Sequence, residues 1–351
     1  MRIGILTQHF LRNYGGIIQN YALQQVLLHL GHEPLTMEHD TCFTRWRWLL
    51  RYAKVLAKGG QKPEPLYRGH IGHRPFIDFI CGHIHCVGIH RFSPATHRQY
   101  GCKAYIVGSD QVWRPAFNFG ERLYNMFLDF VPNGIRKVAY AASFGVDSWE
   151  FTPEQTAHCR TLAQRFNAVS VREDSGIPLC REHLGVNSVQ VLDPTLLLHK
   201  DDYMEVCRNV PQKNPFLLVY VLVMTNELKT AIENAKCQTG LPVKYIFAGN
   251  AMQPTDTMEG WLAAFRDAAS VLTDSFHGTV FSIIFHKPFN VLVNQGGGVA
   301  RLQSLLQMVE LEECLGLGCD FIDTDINWTK VERRLDEQRQ SSIDFLRQAL
   351  L

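Results

Sequence analysis

Arg2-Ile3-Gly4-Ile5-Leu6-Thr7 is an apolar run of strand length, and the segment after it decides the fold. A polar turn, His9-Phe10-Leu11-Arg12-Asn13-Tyr14-Gly15-Gly16, leads into a helical pattern from Ile17 to Leu30. Gly31-His32 closes that helix, and Glu33 to Met37 starts a second strand. Strand, helix, strand is a βαβ opening. Glycines between the first strand and its helix let backbone approach a ligand at the strand's carboxyl end, where open α/β sheets bind. The second and third glycines of the dinucleotide fingerprint are absent, so a nicotinamide cofactor is not expected.

The alternation continues outward from there. Ala104 to Gly108, Val138 to Gly145, Ala168 to Arg172 and Val189 to Thr195 read as strands that end in small or polar residues, among them Asp110, Ser143, Arg172 and Asp193. Helical patterns lie between them, at Glu154 to Arg165 and Ser175 to Leu184. Composition resets at Pro211-Gln-Lys-Asn-Pro215. A second series then begins, with strands at Phe216 to Val223, Val243 to Phe247, Ser270 to Thr273 and Pro288 to Val293. With 351 residues, the chain is too long for one ordinary core. The expected architecture is α/β, two Rossmann-like domains facing a cleft. They would span 1–210 and 211–325, with a charged helix at 326–351 packing back on the first.

Composition narrows the function classes. Hydrophobic residues make up 46% and charged residues 20%, as in ordinary globular chains. A net charge of +1 gives no ground for a nucleic-acid partner. Ten dispersed cysteines without a secretion signal read as reduced thiols in the cytoplasm. No apolar run reaches the length of about 18 residues that a spanning helix needs. Cys81-Gly82-His83-Ile84-His85-Cys86 does not fit a common zinc spacing, and no metal is expected. An insertion at 43–75 carries Trp46, Leu49, Leu50, Ala53 and Leu56 on one helical face and Arg47, Arg51, Lys54 and Lys58 on another. Residues 45–58 could therefore lie on an anionic membrane surface, or pack on their own domain with a solvated basic face.

The chemistry concentrates at Thr273-Asp-Ser275-Phe-His277-Gly278-Thr-Val-Phe-Ser-Ile-Ile-Phe285. Asp274 or Ser275 can cap the apolar helix, placing His277 and Gly278 in its first turn. Unpaired N–H groups there favour an anion, and a histidine beside a bound anion can donate a proton. The bland alternative is a polar cap before a buried helix. Arg172 can clamp a carboxylate or phosphate, or pair with Glu173 or Asp174. Asp110 and Asp193 can bind sugar hydroxyls, orient a base or cap a turn. Trp113 and Phe117 suit either a sugar platform or the core.

Taken together, these residues resemble the polysaccharide pyruvyl transferase family, from Met1 to about Gly316. The resemblance rests on Ile3-Gly-Ile-Leu6 with Asn13-Tyr14-Gly15, Gln19-Asn-Tyr-Ala-Leu-Gln24, Val107-Gly-Ser-Asp-Gln-Val-Trp113 and Tyr140-Ala-Ala-Ser-Phe-Gly145. Ser170-Val-Arg172-Glu, Leu192-Asp-Pro-Thr195, Ser275-Phe-His277-Gly278 and Gly298-Val-Ala-Arg301 complete it. It implies a two-domain, GT-B-like enzyme that moves the carbon skeleton of phosphoenolpyruvate onto two sugar hydroxyls, forming a cyclic ketal and releasing phosphate. It also implies His277 as the acid, with Arg172, Ser275, Gly278 and Arg301 on the donor and no cofactor. Asn13, Tyr14, Gly15, Asp110 and Ser143 would face a saccharide acceptor, free or lipid-linked. Some members carry arginine where this chain has Ser275. A nucleotide-sugar glycosyltransferase and a non-catalytic carbohydrate-binding protein remain open as other readings.

Overall fold

The computed structural model describes residues 1–10, 13–39, 74–247, 256–292, 298–316 and 325–351. The expected 45–58 helix lies outside them, as does nearly all of the 43–75 insertion.

Seven strands form the first sheet: β1 (Arg2–Leu6), β2 (Glu33–His39), β3 (Cys86–Ile89), β4 (Ala104–Val107), β5 (Arg136–Ala142), β6 (Ala168–Val171) and β7 (Val189–Gln190). Their spatial order is β3-β2-β1-β4-β5-β6-β7. Five more strands form the second: β8 (Leu217–Val221), β9 (Val243–Phe247), β10 (Ser270–Thr273), β11 (Phe289–Leu292) and β12 (Leu315–Gly316), in the order β12-β11-β10-β8-β9. The strand pairings are parallel throughout the described residues. Helices cover both faces, so central strands such as β4 and β8 are buried along their whole length and read as unbroken apolar runs. These are two Rossmann-like α/β domains in a GT-B-like arrangement.

Each sheet reverses its strand order at one place, between β1 and β4 in the first and between β10 and β8 in the second. Ligands bind outside the carboxyl ends of strands at such reversals. The helix Tyr14–His29 leaves β1 there, and the helix Phe276–Ile284 leaves β10. Both are buried on nearly every side, which is why neither shows a polar face in the sequence. They meet at the domain junction, and one apolar cluster runs unbroken from Ile3 and Tyr14 to Trp261 and Phe281.

Short irregular elements depart from the sequence expectations. The strand anticipated over Val189 to Thr195 stops at Gln190, because Asp193-Pro194 opens a 3-10 turn over Pro194–Leu197. Asp193 caps that turn, accepting the Thr195 N–H at 3.0 Å. The C-terminal helix Trp328–Leu350 lies across the first domain. There Ser342 accepts the Leu192 N–H at 3.0 Å, and Arg339 donates to the Leu196 carbonyl at 2.8 Å. The eight described cysteines are all free.

Candidate active site

The second domain supplies the histidine. After β10, the Asp274 carboxylate accepts the N–H groups of Leu222 and Val223 at 2.7 and 3.0 Å, which ties this loop to the end of β8. Ser275 is the helix cap, its hydroxyl accepting the Gly278 N–H at 3.3 Å. His277 then falls in the first turn and is buried. The ring is held from the other domain by a missing side chain. A Cβ on Gly15 would lie 2.0 Å from His277 Nδ1, so the first turn of the Tyr14–His29 helix rests directly on the imidazole.

Strand ends of the first domain supply the charges. Arg172, just past β6, is almost fully buried and donates to Asp193 at 2.9 Å and to Asp110 at 3.3 Å. Its guanidinium lies over the Phe276 ring at 4.4 Å, a favourable stacking in which the ring face meets the cation. Asp193 also accepts from the Ser109 and Thr195 hydroxyls at 3.0 and 2.7 Å, and its Oδ1 stands 3.9 Å from His277 Nε2. Asp110 adopts φ +70°, a region costly for a side chain other than Gly or Asn/Asp, and its carbonyl holds the Ser143 N–H at 3.0 Å. Glu173 folds the next loop, accepting from the Ser143 hydroxyl and the Phe144 N–H at 2.8 and 2.9 Å.

Protonation follows from this packing. Burial pushes the His277 pKa below its usual value; Asp193 opposes that shift and Arg172 reinforces it. Burial also works against the Asp193 charge, but His277, Arg172 and the Thr195 hydrogen bond outweigh it and hold the carboxyl below the usual range. The His277 contribution acts only while the imidazole is protonated; once His277 is neutral, Arg172 and the Thr195 hydrogen bond are what keep the Asp193 carboxylate ionised. Arg301 is half-buried, and among the described residues it makes neither an ion pair nor a hydrogen bond. Burial and then Arg172 push its pKa down to about 10 against the opposing charges of Asp110 and Glu173, which leaves it cationic at neutral pH. His277 Nε2 likewise has no hydrogen-bond partner. Burying an unpaired polar group is costly unless a ligand or water completes it.

The residues singled out in the sequence do not all reach one space. His277, Arg172, Arg301, Asp110 and Gly15 converge. Ser275 and Gly278 spend their polar groups on each other and on Thr273, and a Cβ on Gly278 would lie 2.1 Å from Thr273 Oγ1. Tyr14 is buried and ring-stacked on Trp261 at 5.2 Å. The Ser143 hydroxyl is buried on Glu173. Asn13 is exposed and accepts the Gly15 N–H at 3.0 Å, and among the described residues its amide nitrogen has no partner. Trp113 is core, whereas Phe117 is exposed under Arg114 at 5.0 Å. Arg172 pairs mainly with Asp193 and Asp110 rather than with Glu173 or Asp174. Phe276 is a site residue that sequence patterns do not single out, although its place beside a histidine at a helix start is visible there. Among the described residues, no group of three or more His, Cys, Asp and Glu could hold a metal, and no helix is long and apolar enough to cross a membrane.

Residues 13–296 match the sequence model of the family described as polysaccharide pyruvyl transferase. The chain belongs to that family. Its activity is transfer of a pyruvyl group, and the converging histidine and arginines fall inside the matched region except for Arg301, which lies just beyond. No curated protein matches the chain in sequence. Among solved structures it is similar to UDP-GlcNAc 2-epimerase from Neisseria meningitidis, at 10% identity and a TM-score of 0.49 over 97% of this chain and 99% of that one. The Methanocaldococcus jannaschii UDP-GlcNAc 2-epimerase is 11% identical, with a TM-score of 0.46 over 96% of this chain and 99% of the other. The S. aureus MnaA structure is 10% identical, with a TM-score of 0.49 over 96% and 87%.

Proposed function

We propose that this pyruvyl transferase takes its pyruvyl group from phosphoenolpyruvate and sets it across two hydroxyls of a saccharide as a cyclic ketal, releasing phosphate. The observation that carries the reading is the pairing of two unsatisfied groups at the domain junction: among the described residues, His277 Nε2 has no hydrogen-bond partner and Arg301 makes no ion pair. A small polyanionic donor completes both. Arg301 takes its negative charge, and the donor's charge raises the proton affinity of the imidazole until it is imidazolium. His277 then gives a proton to the donor's methylene carbon, which makes C2 electrophilic. One sugar hydroxyl adds to C2 and returns its proton to His277. The second hydroxyl displaces phosphate, which leaves with that hydroxyl's proton, so protons balance over the cycle. Arg172, tied to Asp193, Asp110 and Glu173, is largely neutralised within its own cluster, so its part in donor binding is secondary to that of Arg301. The second domain brings His277 and Arg301 to the donor, and the acceptor enters the cleft between the two domains. The acceptor is a saccharide of a polysaccharide precursor, and the tryptophan-bearing basic stretch at 45–58 suits one that is lipid-linked at the cytoplasmic membrane face.

The test is phosphate release from phosphoenolpyruvate across lipid-linked and nitrophenyl galactosides and N-acetylmannosaminides, with product masses. Acceptor-dependent release, with a mass gain of one pyruvate less one water, is the expected result. Tight binding of a sugar nucleotide, with no release across the panel, would turn the reading to glycosyl transfer. His277→Ala should lower kcat by roughly 10²–10⁴ while changing donor affinity far less. Full turnover in that variant would remove the mechanism.

A further inference from the structure

Of the five residues expected from sequence as acceptor contacts, Tyr14 and Ser143 are buried in structural roles, and Asn13, Gly15 and Asp110 alone offer few polar groups to a sugar ring. A cavity of about 510 Å³ opens between the domains beside the charged cluster. Its first-domain wall is Asp147, Asp174 and Ser175; its second-domain wall includes Gln303, Gln307 and Glu312. It adjoins the donor groups along both chains, since Asp174 lies two residues past Arg172 and Ala300, also in the wall, precedes Arg301. Ser304 pins the two walls together, its hydroxyl accepting the Asp174 N–H at 3.1 Å and the Gln190 amide at 2.7 Å. Gln190 in turn donates to the Arg172 carbonyl at 3.2 Å.

The lining chemistry differs from that of the donor site. Among the described residues, no lysine, arginine or histidine lines this cavity. Among the described residues, the side chains of Asp147, Gln303, Gln307 and Glu312 have no hydrogen-bond partner, and the buried Ser175 hydroxyl has none either. Carboxylates accept from hydroxyls, and amides both accept and donate, which together match a ring carrying vicinal hydroxyls. The same carboxylates repel a phosphorylated donor and steer it toward Arg301. The volume lies within the range of about 300–1,000 Å³ common to small-molecule sites.

We infer that this cavity is the acceptor subsite, and that it takes a neutral or amino sugar in preference to a uronate. The inference rests on the pyruvyl-transfer reading above and extends it to side chains outside the site described so far. Because Gln303 and Gln307 are exposed and unpartnered, replacing both should leave the fold intact, which the thermal midpoint checks. In Gln303→Ala/Gln307→Ala, KM for the best nitrophenyl glycoside should rise about tenfold, the loss of a few polar contacts. KM for phosphoenolpyruvate should stay at the parent value. An unchanged acceptor KM, or a donor KM that rises in parallel, would overturn the assignment. Saturation-transfer NMR with the same glycoside separates this inference from the donor reading. Glycoside contact that vanishes in the double variant upholds the subsite even if phosphoenolpyruvate proves not to be the donor. Contact that the double variant retains overturns it.

Discussion

Asp193 serves four residues with two oxygens. Oδ1 accepts from the Thr195 N–H and hydroxyl and faces His277 Nε2, while Oδ2 accepts from Ser109 and Arg172. All of this is buried, so removing the carboxylate's charge takes from the Arg172 guanidinium its shortest ion pair and leaves it Asp110 at 3.3 Å and Glu173 at 3.9 Å. Breaking a buried pair from one side costs about 3–5 kcal/mol, far more than the pair contributes over an apolar substitute. Asp193→Asn should therefore lower the urea-unfolding free energy by an amount in that range, and parental stability would show the cluster to be well hydrated. Catalysis should respond as well, through His277. Burial has already moved its titration below the ordinary value of 6.5, and among the facing groups Asp193 and Asp110 resist that shift while Arg172 and Arg301 promote it. If protonated His277 is the acid, kcat/KM falls as pH rises through the lowered pKa. Taking away the Asp193 charge lowers that pKa further, so the falling limb should move to more acidic pH. A pH profile of kcat/KM for the two proteins decides the matter, and an unmoved limb would mean that Asp193 only supports the fold.

Two helix starts meet at the site, and their contact is set by an absent Cβ. Gly15 sits in the first turn of Tyr14–His29, against the ring in the first turn of Phe276–Ile284. A methyl group there would overlap the imidazole, and neither helix can retreat from its buried surroundings without opening packing. Overpacking of this kind costs about 1–3 kcal/mol. Gly15→Ala should thus reduce kcat well beyond its effect on the thermal midpoint, because the displaced ring is the acid; retained kcat would show that the ring has room to turn. These two elements also mark how far the sequence can be read. Ile17 to Leu30 and the run after Ser275 are legible as helices, since length, caps and apolar content are local properties. Gly15 is legible as a close approach, but not what approaches: the partner is in another domain, and no spacing rule links positions so far apart. Arg172 is hidden for the same reason. Its neighbours Glu173 and Asp174 are the partners visible in sequence, and Glu173 does stand 3.9 Å from the guanidinium, yet the closer pairs are with Asp193 and Asp110, which no local pattern reveals. Asp193-Pro194-Thr195 reads as a strand end, although an Asp before Pro can equally start a capped turn, as it does here.

At the scale of the molecule, the domains are joined by apolar packing with a polar latch at the helix start. Tyr14 reaches from the first domain into an aromatic nest in the second, stacked on Trp261 and edge-on to Tyr220 at 6.2 Å. Its hydroxyl donates to the Asp256 carbonyl at 2.7 Å and accepts the Asp256 N–H at 3.1 Å, a two-way bond between residues 242 apart in sequence. Burial raises the phenol pKa, so it remains a donor throughout the working pH range. The same helix turn carries Gly15, which makes the latch part of the register between domains as well as of their affinity. Tyr14→Phe keeps the stacking and deletes only the latch. Two hydrogen bonds of ordinary worth, with an Asp256 N–H and carbonyl left to find water, amount to about 1–3 kcal/mol. If the latch merely adds stability, the variant should unfold earlier and turn over normally. If it sets the register, kcat should fall while KM for both substrates holds, since His277 and the first-domain charges would meet less often in the reactive arrangement. The geometry favours the second outcome. The Tyr14 hydroxyl and the Gly15–His277 contact belong to consecutive residues of one helical turn, so a shift large enough to break the first must also move the second. Steady-state kinetics of Tyr14→Phe, read beside its thermal midpoint, distinguishes the two, and an unchanged kcat in a destabilised protein would reduce the latch to a fastening.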